Sequence, residues 1–103
     1  MEVRQIHGEY TTGEVCTLIE EHEELRARAE TWGFRLRILL CLADVARVVP
    51  RLTRVQRQAI FLMGTHYFSA AEAGRVLGVG EERALARYEH AILRTTKLLN
   101  GRN

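Results

Sequence analysis

The stretch SAAEAGRVLGVGEERALARYEHAIL, Ser69 to Leu93, decides how this chain folds. Phe68, Ser69 and Glu72 stand at the offsets of a hydrophobic staple, an N-cap and its capping-box partner, so a helix is expected from Ala70 to about Leu77. Gly78 stops it, because a helix end often needs a residue at positive φ. A second helix is expected from about Gly80 to Leu99. Glu81 and Glu82 suit its positive N-terminus, Lys97 its negative C-terminus, and Gly101 follows as a stop. Gly74 supplies the small residue that a close helix crossing requires. Ala73, Leu77, Val79, Ala84 and Tyr88 are placed to pin the two helices together. This spacing is that of a helix-turn-helix, with Gly80 to Arg87 opening the helix that would face a major groove. A plain helical hairpin satisfies the same spacing.

Upstream, Thr53 reads as the cap of a helix whose apolar positions are Val55, Ile60, Phe61 and Met63, with Gly64 near its end. The core is expected to contain Ile60, Phe61, Val76, Leu77, Ala84, Tyr88 and Ile92. Residues 1–10 show no period. Thr11 and Glu14 form a capping box, and from Val15 the apolar residues run Val15, Leu18, His22, Leu25, Ala29, Trp32, Leu36, Leu39, Ala43, Ala46. Steps of three and four are those of a helical seam. They predict one long helix, or two nearly collinear ones, ended by Pro50; Thr31 and Gly33 are where a hairpin would form instead. Trp32, Leu36, Leu39 and Ala43 present more apolar surface than three short helices cover. A protein partner or a second copy of the chain is one expected cover, and the C-terminal half itself is the other.

The whole chain is 103 residues, with 47% hydrophobic and 27% charged residues. That is the balance of one ordered globular unit whose core is thin. The pattern is all-α: an acidic N-terminal helical segment, residues 1–50, and a helix-turn-helix module, residues 51–103. The first half carries six Arg against eight Glu and one Asp, a net charge of −3. The second carries eight Arg and one Lys against four Glu, a net charge of +5. The asymmetry points to a polyanion on the C-terminal half alone. Glu2, Glu9 and Glu14 interrupt any apolar signal region, and Ile38 to Val49 is too short and too charged to cross a bilayer. A cytoplasmic protein without membrane or small-molecule substrate is expected.

Catalysis is disfavoured. No Ser/His/Asp or Cys/His set stands out, and no Gly-Lys-Ser/Thr follows the glycines. Glu20, Glu21, Glu23 and Glu24 read as a solvated helix face. Cys16 and Cys41 read as buried thiols, His22 as a helix-contact residue, and His7, His66 and His90 as scattered. No metal or other cofactor is expected.

Residues 51–100 resemble region 4 of bacterial sigma-70-type factors. The resemblance rests on Leu52-Thr53, on QAIFLMGTHYFSAAEAGRVLGV, and on GVGEERALARYEHAILRTTKLL with Glu82, Arg83, Ala91 and its trailing basic-apolar repeat. It implies a recognition helix in which Gly80, Glu81, Glu82, Arg83 and Arg87 meet DNA, with Arg57 and Arg75 adding phosphate contacts. In that family Arg is usual at the position of Glu81, Gln at that of Ala86, and a basic residue is common at that of Leu85. The family's promoter specificity therefore does not carry over. Nor do fifty acidic helical residues hold the promoter-melting domain of a complete factor.

The resemblance is thus to small sigma-4-like regulators of phages, prophages and gene-transfer agents. The implied partners are double-stranded DNA, RNA polymerase, and a second regulatory subunit or a second copy of the chain. The implied function is recruitment of polymerase to promoter DNA, most simply as an activator. A polymerase-docking module without DNA binding is the alternative, and a phage antitermination or packaging factor a further one.

Overall fold

The computed structural model describes residues 9–31 and 35–101. Among them no strand forms, and every regular element is helical. The helices are α1 (Thr12–Glu20), α2 (His22–Thr31), α3 (Arg35–Val48), α4 (Arg54–Ala59), α5 (Ala70–Leu77) and α6 (Glu81–Leu99). A 3₁₀ turn, Val49–Arg51, holds Pro50 and separates α3 from α4. A π-helical segment, Ile60–Thr65, continues α4.

Three helices start where the capping residues place them. Thr11 Oγ1 accepts the Glu14 amide at 3.1 Å, and Glu14 Oε1 accepts the Thr11 amide at 2.9 Å. Thr53 with Gln56 and Ser69 with Glu72 repeat this reciprocal arrangement. Each box satisfies two amides that a helix start otherwise leaves open.

The seam predicted across residues 15–46 does not run as one line. Val15, Leu18 and Leu25 are buried as expected. In α3 the buried residues are Ile38, Cys41, Leu42, Val45 and Val48, while Ala43 and Ala46 face solvent. α3 packs against α1, α2 and α6, which an unbroken or collinear helix could not do. Its apolar face is thus set by what it packs on and not by the phase inherited from α1 and α2. Leu39 is partly buried against the main core. Trp32, and the side chain of Leu36, lie outside the described residues.

One apolar cluster gathers Val15, Leu18 and Ile19 of α1, the buried face of α3, Ala59 and Ile60, and Tyr88, Ala91 and Ile92 of α6. It therefore draws on both halves of the sequence. Tyr10, within a segment without period, also belongs to it. The Tyr10 amide donates to Asn100 Oδ1 at 2.7 Å, and Asn100 Nδ2 donates to the Tyr10 carbonyl at 3.0 Å. This pair ties the start of α1 to the end of α6.

A second, smaller cluster joins Leu62, Ala73 and Ala84, with Phe68, Leu77 and Val79 packed around it. Two residues expected in the core are not there: Phe61 is 57% and Val76 62% exposed. Val55 is exposed as well. Phe61 lies well round the helix from the face formed by Ala59, Ile60 and Met63, and its ring meets His66 edge-on at 4.3 Å. Val76 lies about 60° round the helix from Ala73 and about 100° from Leu77, given 3.6 residues per turn. Helical phase outweighs hydrophobicity at both positions. Ile60, Ala84, Tyr88 and Ile92 are buried, and Leu77 is partly so.

Candidate nucleic-acid interface

The turn between α5 and α6 is built by glycines. Gly78 adopts φ 73°, ψ 31°, the left-handed conformation that closes α5. The Val79 amide then donates to the Gly74 carbonyl at 2.9 Å. A Cβ on Gly74 would sit 2.7 Å from the Val79 carbonyl oxygen and 3.3 Å from the Gly80 backbone. Only glycine lets α5 carry the turn this closely. Gly80 follows as the N-cap of α6, with no side chain to cap it.

Glu72 ends up buttressing α5. Its carboxyl is held below its ordinary value, first by the Ser69 amide, then by the Ser69 hydroxyl and the nearby Arg75. Arg75 itself is exposed on the last turn of α5.

Gly80, Glu81, Glu82 and Arg83 are exposed at the start of α6, and Arg87 is partly buried one turn on. Among the described residues, Arg75, Arg83 and Arg87 make no hydrogen bond or ion pair. Arg57 differs. Its Nη1 donates to the Leu52 carbonyl at 2.6 Å and to the Pro50 carbonyl at 3.3 Å, clamping the turn that precedes α4.

Arg83 and Arg87 begin a longer feature than the motif implied. Arg83, Arg87, His90, Arg94 and Lys97 follow at steps of four, three, four and three. With 3.6 residues per turn they share an arc of about 80° and a length of about 21 Å. His90 and Lys97 are exposed; Arg94 is partly buried. The spacing alone carries this stripe, which runs well beyond the start of the helix.

A second stripe of α6 has other chemistry. Glu82, Leu85, Glu89 and Leu93 lie about 80–160° round the helix from the basic line, on average roughly a third of a turn. Leu85 and Leu93 are 43% and 44% exposed. Leu85, Tyr88, Glu89 and Ile92 form one wall of a groove of about 440 Å³, and Thr12, Gly13 and Cys16 of α1 form the other.

Hydrogen-bonded to Cys16 and Tyr88, which line that groove, Glu20 is not a solvated carboxylate as its neighbours are. Tyr88 Oη donates to Glu20 Oε2 at 2.5 Å, and Cys16 Sγ donates to the same oxygen at 2.9 Å. Tyr67, a non-glycine residue at φ 58°, sends its hydroxyl to the Glu20 carbonyl. Burial, then the Glu20 carboxylate, pushes the Cys16 thiol up to about 11. A protonated thiol is a poor nucleophile, so this cluster braces α1 on α6 and does not create a reactive cysteine.

Among the described residues, no group of three His, Cys, Asp or Glu side chains is placed to hold a metal ion, and no helix is long and apolar enough to cross a membrane. Comparison with protein-family models, with curated proteins and with solved structures finds no match to this chain.

Proposed function

We propose that the chain is a sigma-like regulator of transcription that works by binding, with α5, the Gly78 turn and α6 acting as a helix-turn-helix on double-stranded DNA. The basic stripe of α6 carries this reading: five cationic or titratable side chains lie on one line of a helix fixed by a glycine-built turn. Uncommitted guanidinium groups suit phosphate and guanine, which take planar, paired donors. Arg83 and Arg87 stand where a groove-inserted helix meets base edges. Arg94 and Lys97 lie where it would leave the groove along phosphate. Arg75 adds an orienting phosphate contact. Arg57, already spent on two carbonyls, contributes less. In this role the protein acts in the cytoplasm, recruits RNA polymerase to DNA and activates.

A second reading has a specific observation behind it. Val76 and Leu85 are exposed apolar residues beside Glu81 and Glu82, whose carboxylates repel phosphate. A surface of that kind fits a protein such as polymerase without any DNA contact.

Duplex DNA binding followed by fluorescence anisotropy at two salt concentrations separates the two. On a preferred site Arg83→Ala is expected to cost about 1–3 kcal/mol and relax preference at one base pair. Arg75→Ala should weaken all sequences alike and lower the salt slope by about one. If neither substitution alters DNA affinity while both abolish retention of RNA polymerase after nuclease treatment, the protein-docking reading replaces the first.

A further inference from the structure

A cavity of about 270 Å³ opens between α1, α2, α3 and the π-helical segment, away from the basic stripe. Leu18, Leu42, Val45 and Ile60 form its apolar walls, and each is buried. Its polar lining comes from His22 and Arg26, one turn apart on α2, and from Thr65. His22 Nδ1 lies 3.1 Å from the Ile19 carbonyl oxygen. A carbonyl can only accept, so Nδ1 carries the proton and Nε2 is left for another partner. Arg26 makes no hydrogen bond or ion pair among the described residues, although α2 is rich in carboxylates. Glu24, two residues before it, faces away from Arg26 and pairs with Arg28 at 2.7 Å. Glu23 stands at the i,i+3 spacing that permits a pair, yet forms none with Arg26.

A half-open apolar cavity with one uncommitted guanidinium in its lining has the general anatomy of a small-molecule site. The volume is fragment-sized, below the usual range of about 300–1,000 Å³ for drug-sized ligands. That charge selects an anion, and guanidinium geometry suits a carboxylate taken through two parallel hydrogen bonds. We infer that this cavity binds a small organic monocarboxylate, its apolar body against Leu42, Val45 and Ile60 and its carboxylate on Arg26. Because the cavity touches α1, α3 and the segment that supports α5, an occupant braces the three elements against one another. The site stands independently of the nucleic-acid reading.

Methyl NMR of the full chain tests it, with octanoate as the probe and octanol as its neutral counterpart. Octanoate is expected to shift the methyl signals of Leu18, Leu42, Val45 and Ile60 saturably, and octanol to do so more weakly. Arg26→Gln should weaken octanoate about tenfold, the loss of one charge-assisted pair, and leave octanol unchanged. Ala46→Phe, at the cavity rim, should exclude both. Octanoate that leaves these methyls unmoved at millimolar concentration overturns the proposal. Equal response to octanol, or indifference to Arg26→Gln, overturns the anion as ligand. The methyl map locates binding in the unmodified protein, so the result does not depend on either variant folding well.

Discussion

Replacing Gly74 by alanine should weaken the fold although alanine is the better helix former. In an unobstructed helix interior the change stabilises by about 0.5–1 kcal/mol. Here the new Cβ lands 2.7 Å from the Val79 carbonyl oxygen and 3.3 Å from Gly80 backbone atoms. These are main-chain atoms of the turn, so no side chain can rotate away to relieve the contact. Overpacking of this kind costs about 1–3 kcal/mol. Relief by opening the turn also lengthens the Val79 to Gly74 hydrogen bond, now 2.9 Å, a further cost of about 1 kcal/mol. The net expectation is a destabilisation of about 1–3 kcal/mol after the helix-propensity gain. Urea unfolding followed by circular dichroism measures it, with two neighbouring glycines as internal controls. Gly80→Ala meets nothing within 4 Å and sits at φ −70°, so it should change stability little. Gly78→Ala also has open space but is held at φ 73°, so it should cost about 1 kcal/mol from backbone strain alone. If Gly74→Ala proves as stable as the unmodified chain, α6 does not cross where the glycine turn puts it.

Leu18, fully buried in the main cluster, should cost about 2–5 kcal/mol on Leu18→Ala, read from the same urea transitions. Tyr88→Phe removes the 2.5 Å hydrogen bond to Glu20 and is expected to cost about 1–3 kcal/mol; a neutral result would mean that water replaces the hydroxyl freely. Alkaline pH should destabilise the protein. The Cys16 thiol ionises at its ordinary value of 9.0 when unfolded but near 11 when folded, so the unfolded state loses its proton first and stability falls as pH rises from about 9 to 11. The Cys41 thiol, also raised by burial, shares this onset, so Cys16→Ala should reduce it without abolishing it. Tyr10 and Tyr88, both raised by burial, extend the decline above pH 10. Finally, reversing the charge of Lys97 should lower the salt slope of DNA binding without altering sequence preference, because that residue lies at the far end of the stripe.

The parts of the fold legible in the sequence are those set by local chemistry. Thr11, Thr53 and Ser69 each start a helix because a short side-chain oxygen and an acid or amide three residues on satisfy two of the backbone amides that a helix start leaves open. Gly78 ends α5 for an equally local reason. What the sequence concealed depends on which helix packs on which. The three–four steps through Leu36, Leu39, Ala43 and Ala46 are a valid apolar line, yet α3 buries Ile38, Cys41, Leu42, Val45 and Val48 because it turns back onto α1 and α6. Both lines are apolar enough to serve, so periodicity alone does not choose between them. Glu20 escaped for the same reason: within a run of four glutamates nothing local marks the one that meets Tyr88 from 68 residues away.

The candidate interface divides along the same boundary. Gly74, Gly78 and the start of α6 follow from spacing, and the basic stripe is a helical period that the sequence carries to Lys97. Its exposure is a tertiary fact. The main cluster claims Tyr88, Ala91, Ile92 and Leu98 of α6, and Thr95 and Thr96 return their hydroxyls to carbonyls of their own helix. That fixes the rotation of α6 and leaves two solvent-facing lines of different chemistry, one basic and one of alternating leucine and glutamate. Because roughly a third of a turn separates them, a charge removed from Arg83 or Lys97 leaves Leu85 and Leu93 untouched, and the reverse holds. The DNA contact and the protein contact proposed for this helix are therefore separable by substitution, which a single shared surface would not allow.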